Sequence, residues 1–219
     1  MSTSTAGSKD ARKHQTPKSI ATRRCILDAT VRCFVEIGYH RTTTTEISKR
    51  ADVTRGAVQY YFPTTPDVLR ASIEYLLEEW TQAYTEALKL RPPETNKYEF
   101  AIDTYWEFLK NPLYIAWQEL IGASRTDEEL QKIVQDASII NDVRRREMGH
   151  EIMPELDELA SDDFSLGRDF GRVLLEGLST TQLTYDRDRR EQAIINLLKK
   201  TVTNFWEEAE EKARSSKAD

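Results

Sequence analysis

Residues Thr43–Phe62 read T-T-T-E-I-S-K-R-A-D-V-T-R-G-A-V-Q-Y-Y-F and hold two helix starts, Thr43 and Thr54, with a tight joint between them. Thr43 followed by Glu46 is a capping box, in which the hydroxyl accepts a free backbone N–H and the carboxylate reaches back. Ile47 and Ala51 then share one helical face. Asp52 and Val53 break that helix, and Thr54 caps the next one. In the second helix Val58 and Phe62 lie on a buried stripe at four-residue spacing, which turns Arg55, Gln59 and Tyr60 away from it. Gly56 and Ala57 carry almost no side chain, so another surface can approach the backbone closely. Pro63 ends this helix, and Thr64 with Asp67 makes a second capping box at the start of a third. Two short helices at a steep angle, the second too polar to serve only as core, make a helix-turn-helix.

Spacing by itself leaves a plain helical hairpin open, and charge separates the two readings. Residues 1–60 carry 11 Lys and Arg against 5 Asp and Glu, a net of +6. The rest carries 20 against 32, a net of −12, and the two parts sum to the whole-chain −6. A basic head on an acidic body is the asymmetry expected when one end meets phosphates.

Around this motif the chain is helical throughout. Ile26, Ala29, Thr30, Cys33, Phe34 and Ile37 trace an amphipathic helix ended by Gly38. Cys25 and Cys33 lie on it about 12 Å apart along the axis, too far for a disulfide, and read as reduced packing residues. A long helix over about 64–90 carries Val68, Leu69, Ile73, Leu76, Leu77, Trp80, Tyr84 and Leu88 at helical spacing. Five more helices are predicted near 94–109, 112–124, 127–152, 163–185 and 188–213, with breaks at Asn111-Pro112, Ser124 to Asp127, Pro154 and Asp186. No strand-like alternation appears, so the fold class is all-α. The organisation expected is a disordered basic tail over 1–18, a helix-turn-helix domain over 19–63, and a helical ligand-binding and dimerisation domain over 64–219. No apolar run has signal-peptide or membrane length, which predicts a soluble cytoplasmic protein without a membrane partner.

The run from Arg24-Cys25-Ile26-Leu27-Asp28-Ala29 through Phe34, Gly38-Tyr39, Thr43, Glu46-Ile47-Ser48, Ala51 and Val53-Thr54-Arg55-Gly56 to Tyr61-Phe62-Pro63 resembles the N-terminal domain of the tetracycline-repressor (TetR) family. The resemblance covers about residues 19–75. It implies a homodimer that binds a palindromic double-stranded DNA operator and a small effector in the C-terminal domain that weakens this binding. It further implies that Arg55 contacts a base, for which a guanidinium suits guanine O6 and N7. Gln59 stands where relatives commonly carry tyrosine, and its amide suits adenine. By the same resemblance Thr43 and Tyr60 contact phosphates, and Tyr61 stands at the neighbouring position that contacts DNA in some members. Thr65 stands where relatives frequently hold a phosphate-gripping lysine and offers only a hydroxyl. With Thr54, Gly56 and Ala57 these residues form the expected DNA-binding set. Arg23, Arg24 and Arg41 are backbone-contact candidates by charge alone, with a solvated basic surface as the alternative.

In the body, aromatic density points to a pocket for a small apolar or aromatic effector, with Trp80, Tyr84, Trp106, Tyr114, Trp117 and Gln118 as candidates and Glu119 as a further polar anchor. Core packing is the alternative for most of them. The last two helices are apolar on more than one side, and Gly167, Gly171, Leu174, Leu178, Leu198 and Phe205 are the candidates for a dimer interface. A bundle core within one chain is the alternative. Arg144-Arg145-Arg146 reads as a solvated, self-paired face because Glu147 and Glu151 stand at ion-pair spacing after it. His14, His40 and His150 form no metal-ligand pattern with the cysteines, and no phosphate loop or nucleophile elbow occurs. No metal, cofactor or catalytic residue is expected. The rival readings are a DNA-binding protein without an effector and a helical enzyme on the same scaffold.

Overall fold

A computed structural model describes residues 16–153 and 161–218. The tail expected to be disordered lies mostly outside the described residues. The break at Pro154 does too.

Among the described residues nine helices run in chain order: α1 (Pro17–Ile37), α2 (Thr44–Arg50), α3 (Arg55–Tyr61), α4 (Thr65–Lys89), α5 (Lys97–Phe108), α6 (Pro112–Ser124), α7 (Glu128–Ile152), α8 (Ser161–Thr180) and α9 (Arg187–Ala218). A 3₁₀ turn at Tyr39–Arg41 lies between α1 and α2. The all-α expectation holds, because most breaks carry local cap chemistry. Thr16, Thr43, Thr54, Asn96, Asn111 and Asp127 each accept a backbone N–H in the first turn of the next helix. Pro17 and Pro112 sit at helix starts, where the missing N–H has no intrahelical partner to lose. Thr64 and Asp67 form a complete capping box. At Thr43 only the hydroxyl half forms, accepting the Glu46 N–H at 3.3 Å. The Glu46 carboxylate pairs instead with Arg50, one turn onward on the same helix. α8 stops at Thr180, short of the expected 185, and the Thr181 N–H makes the last ladder bond, to the Gly177 carbonyl at 3.0 Å.

The joint between α2 and α3 is a Schellman turn. The Val53 N–H donates to Ser48 O at 3.1 Å, and the Asp52 N–H to Lys49 O at 3.4 Å. Asp52 stands at the left-handed position of that turn with φ 53. Val53 packs against the head core that holds Ile47, the hydrophobic contact that accompanies such turns.

Two cores meet along α1 and α4. The smaller joins Ile26, Leu27, Ala29 and Cys33 of α1 to Ile47, Val58, Phe62 and Val68. The larger runs from Val31 and Phe34 of α1 through α4 and into the helices of the body. α4 is therefore shared: Val68 faces the head, while Ile73, Leu76, Trp80 and Tyr84 face the body. α4 packs on α7, α1 packs on α4 and α6, and α8 packs on α9. Among the described residues no helix is long and apolar enough to cross a membrane. Cys25 is exposed, Cys33 is buried and both are free thiols.

Candidate nucleic-acid interface and body cavity

α3 owes its orientation to two anchors. Val58 and Phe62 plug into the head core, and Tyr61 leans against that core with its hydroxyl donating to Ser19 Oγ of α1 at 3.3 Å. What remains outward is polar: Thr54, Arg55, Gly56, Gln59 and Tyr60 are exposed, and Tyr60 is 62% exposed. A Cβ at Gly56 would meet only the Thr54 hydroxyl oxygen, at 3.8 Å, so this backbone is open to an approaching surface. Thr43 and Thr65, also exposed, flank α3 at the starts of the neighbouring helices.

The expected DNA-facing residues divide into two groups. Arg55, Gln59 and Tyr60 share the outward face, whereas Ala57 is half-buried and Tyr61 serves as a strut between α1 and α3. Tyr60 stands edge-on to Tyr61 with ring centroids 5.2 Å apart. The nearby arginines are engaged: Arg23 lies over the Phe62 ring, Arg24 pairs with Glu79, and Arg41 donates to the Ile37 carbonyl.

In the body, a cavity of about 120 Å³ opens between α4, α5, α7, α8 and α9. Trp80 and Tyr84 line it, together with Ile102, Tyr105, Leu175 and Trp206. Trp80 stacks on Tyr84 at 5.6 Å and meets Tyr105 edge-on at 5.8 Å. Burial, opposed by the nearby Arg145 charge, pushes the Tyr84 and Tyr105 hydroxyls well above their ordinary range, so both remain protonated donors. Tyr84 donates to the Ala101 carbonyl at 3.3 Å and Tyr105 to Glu176 Oε1 at 2.7 Å.

Other aromatic candidates lie elsewhere. Trp106, Tyr114 and Gln118 do not line this cavity: Trp106 and Tyr114 are core residues, and the Gln118 amide donates to the Tyr114 hydroxyl. Trp117 lines a separate recess with Ile121 and Ile139. Glu119 points away from the body, accepting the Tyr39 N–H of the head. Helical period marks a residue as inward-facing without saying which neighbour lies inward, and α6 packs against α1 as well as α7.

Two further expectations require correction. Arg146 is solvated but pairs with Asp142, one turn before it, and the expected partner Glu151 pairs with Lys89; Arg145 is turned inward, 11% exposed, with its guanidinium 5.0 Å from the Trp80 ring centroid. Adjacent residues on a helix point about 100° apart, so a basic triplet cannot share one face. The helical stripe offered to a partner is divided, with Gly167 and Phe205 sharing an apolar recess with the exposed Leu166 and Phe170. Leu178 and Leu198 are buried in the chain's own core, Gly167 and Gly171 line the cavity, and Leu174 and Phe205 are half-buried. The apolar side chains left outside on these two helices include Leu166, Phe170 and Val173 on α8 and Leu197 on α9.

Sequence reasoning missed the cavity's arginines, Arg145, Arg168 and Arg172. The spacing of Arg168 and Arg172 on α8 was a usable signal: four residues apart, they share one side of that helix, next to the side that carries Gly167 and Gly171.

Residues 26–71 match the family model described as bacterial regulatory proteins, tetR family. An uncharacterised HTH-type transcriptional regulator of Mycobacterium bovis is 27% identical over 135 residues, which cover 59% of this chain and 69% of that one. The HTH-type transcriptional repressor BepR of Brucella suis is 30% identical over 141 residues, covering 63% of this chain and 57% of BepR. Among solved structures, the transcriptional regulator FadR from Bacillus subtilis, in complex with stearoyl-CoA, superimposes with a TM-score of 0.55 at 20% identity, covering 80% of this chain and 96% of that one. With an outward polar α3 held on a basic three-helix head, residues 26–71 are a helix-turn-helix head of the tetR-family type, and the chain is a helix-turn-helix transcriptional regulator.

Proposed function

We propose that this protein is a cytoplasmic, effector-released repressor that binds a palindromic operator as a homodimer. The observation that carries the reading is the outward face of α3, where Arg55, Gln59 and Tyr60 stand clear of the core on a helix too short to be held by anything but that core. Arg55 reads guanine and Gln59 adenine in the major groove, while Thr43, Tyr60 and Thr65 lie against the phosphates. A dimer places its two recognition helices about one turn of DNA apart, ~34–36 Å.

The apolar side chains Leu166, Phe170 and Val173 repeat at helical spacing on α8, with Leu197 on the neighbouring α9. This pattern supports a second copy packing there, two helices from each chain. The body cavity supports an effector site, and α4 supplies the linkage, since one helix contributes to the head core and walls the cavity. An effector that binds the two helix separations with different affinity shifts their populations.

A gel shift against DNA flanking the gene tests the reading. The Arg55→Ala/Gln59→Ala pair is expected to lose roughly 2–6 kcal/mol of operator discrimination, at about 1–3 kcal/mol per base contact. Equal affinity and selectivity in wild type and double variant would remove the recognition assignment.

A further inference from the structure

Besides the hydroxyls of Tyr84 and Tyr105, which are already bonded to the Ala101 carbonyl and Glu176, the polar residues lining the cavity include three arginines and a tryptophan. Arg145 from α7 and Arg168 and Arg172 from α8 converge there with the indole of Trp206 from α9. Each brings a buried N–H with no hydrogen-bond partner among the described residues: Arg145 Nε, Arg168 Nη1, Arg172 Nε and Trp206 Nε1. The indole reaches this position because residue 167 is glycine, where a Cβ would stand 2.4 Å from Trp206 Nε1.

Carboxylates balance the guanidinium charge from the outer side. Asp169 Oδ1 lies 3.1 Å from Arg168 Nη2 and 3.7 Å from Arg172 Nε, Asp142 lies 3.3 Å from Arg168 Nη2, and Glu176 stands 3.9 Å from Arg145 and 3.7 Å from Arg172. None of these carboxylates lines the cavity. Among the described residues, four unpartnered donors are therefore buried beside an apolar chamber whose lining includes no carboxylate. A buried donor without an acceptor is costly, and a ligand oxygen that meets it is correspondingly favoured.

Resting on the reading of this cavity as an effector site, we infer that the effector is an amphipathic anion. Its apolar body lies against Trp80, Ile102 and Leu175, and its carboxylate or phosphate oxygens meet the donors of Arg145, Arg168, Arg172 and Trp206. A carboxylate brings two oxygens with about four acceptor positions, which match these donors. A neutral ligand of the same shape would leave guanidinium donors buried and unmet. A cationic one would add repulsion.

The test is a titration of the full-length protein with decanoate, decyl phosphate, decanol and decylamine, followed by calorimetry and by the fluorescence of the cavity tryptophans. At least one of the two anions is expected to bind about tenfold or more tightly than decanol, with decylamine weakest; the tighter anion identifies the head group. Arg168→Met is expected to remove most of that preference while leaving decanol affinity within about twofold, and Arg172→Gln serves the same purpose if the first variant does not fold. Arg146→Met, on the solvated side of α7, should keep the preference. Decanol binding as tightly as both anions, or a preference that survives Arg168→Met and Arg172→Gln, overturns the anionic assignment and leaves the effector cavity standing. Failure of all four compounds to bind overturns the cavity reading with it.

Discussion

The Tyr39 N–H donates to Glu119 Oε1 at 2.8 Å, joining the end of α1 in the head to α6 in the body. Tyr39 makes a second link through its hydroxyl, which donates to Asp127 Oδ2 at 2.7 Å at the start of α7. Gly38 makes room for the first: its φ is +79, and a Cβ there would meet Glu119 Oε1 at 2.2 Å. Gly38→Ala should therefore cost about 1–3 kcal/mol, from the left-handed backbone strain alone, even where the carboxylate swings aside. Glu119→Ala, which loses one partly exposed hydrogen bond, should cost about 1 kcal/mol. Urea unfolding measures both, and a Gly38→Ala midpoint equal to wild type would contradict this account of the junction.

Asp52 occupies a left-handed position that glycine tolerates and other residues adopt at a cost of about 1–2 kcal/mol. Asp52→Gly relieves that strain but enlarges the freedom of the unfolded chain, so the net gain expected is about 0.5–1 kcal/mol. In thermal unfolding this is a rise of roughly 1–4 °C for a chain of this size. A fall in the transition temperature would show that the aspartate side chain supplies a compensating bond.

Asp127 carries a pH signature. The Leu130 N–H of the turn it caps, and after it the Tyr39 hydroxyl, hold its carboxyl below the ordinary value. A group lowered on folding contributes stability that is complete above its unfolded value, about 3.9, and is lost as pH falls through the folded one. Unfolding free energy should therefore drop on acidification below about pH 4. Asp127→Asn, which keeps a capping oxygen and cannot ionise, should flatten part of that drop. Parallel acid limbs for variant and wild type would show that other carboxylates dominate it.

Phe170 and Val173 lie on the exposed apolar face of α8. Phe170→Glu/Val173→Asp places two charges in the proposed interface, and leaving charges unpaired there costs several kcal/mol. Light scattering should show a monomer, and operator affinity should fall as the two half-sites become independent. A double variant that stays dimeric with wild-type operator affinity would move the interface elsewhere.

Most helix boundaries were legible in the chain because caps are satisfied within three or four residues. Thr54, Asn111 and Asp127 each bond the turn they precede, and the residues around them carry the signal. The outward polar face of α3 was legible for the same reason, since Val58 and Phe62 fix its rotation from inside. Where α8 ends was less so, because no proline or glycine stands just after Thr180 and Leu183 continues the apolar pattern beyond the last ladder bond.

The sequence by itself determined the succession of helices, the helix-turn-helix and its exposed Arg55 and Gln59, because capping, turn chemistry and helical period act over a few residues. Only the tertiary structure decided that Arg145 turns onto Trp80 beside Arg168 and Arg172, and that Glu119 serves the head. It also decided that Gly167 and Gly171 face the chain's own cavity, leaving Leu166, Phe170 and Val173 outside. Helical period states which residues share a side. What that side meets is set by helices tens of residues away, whose packing is a property of the whole chain.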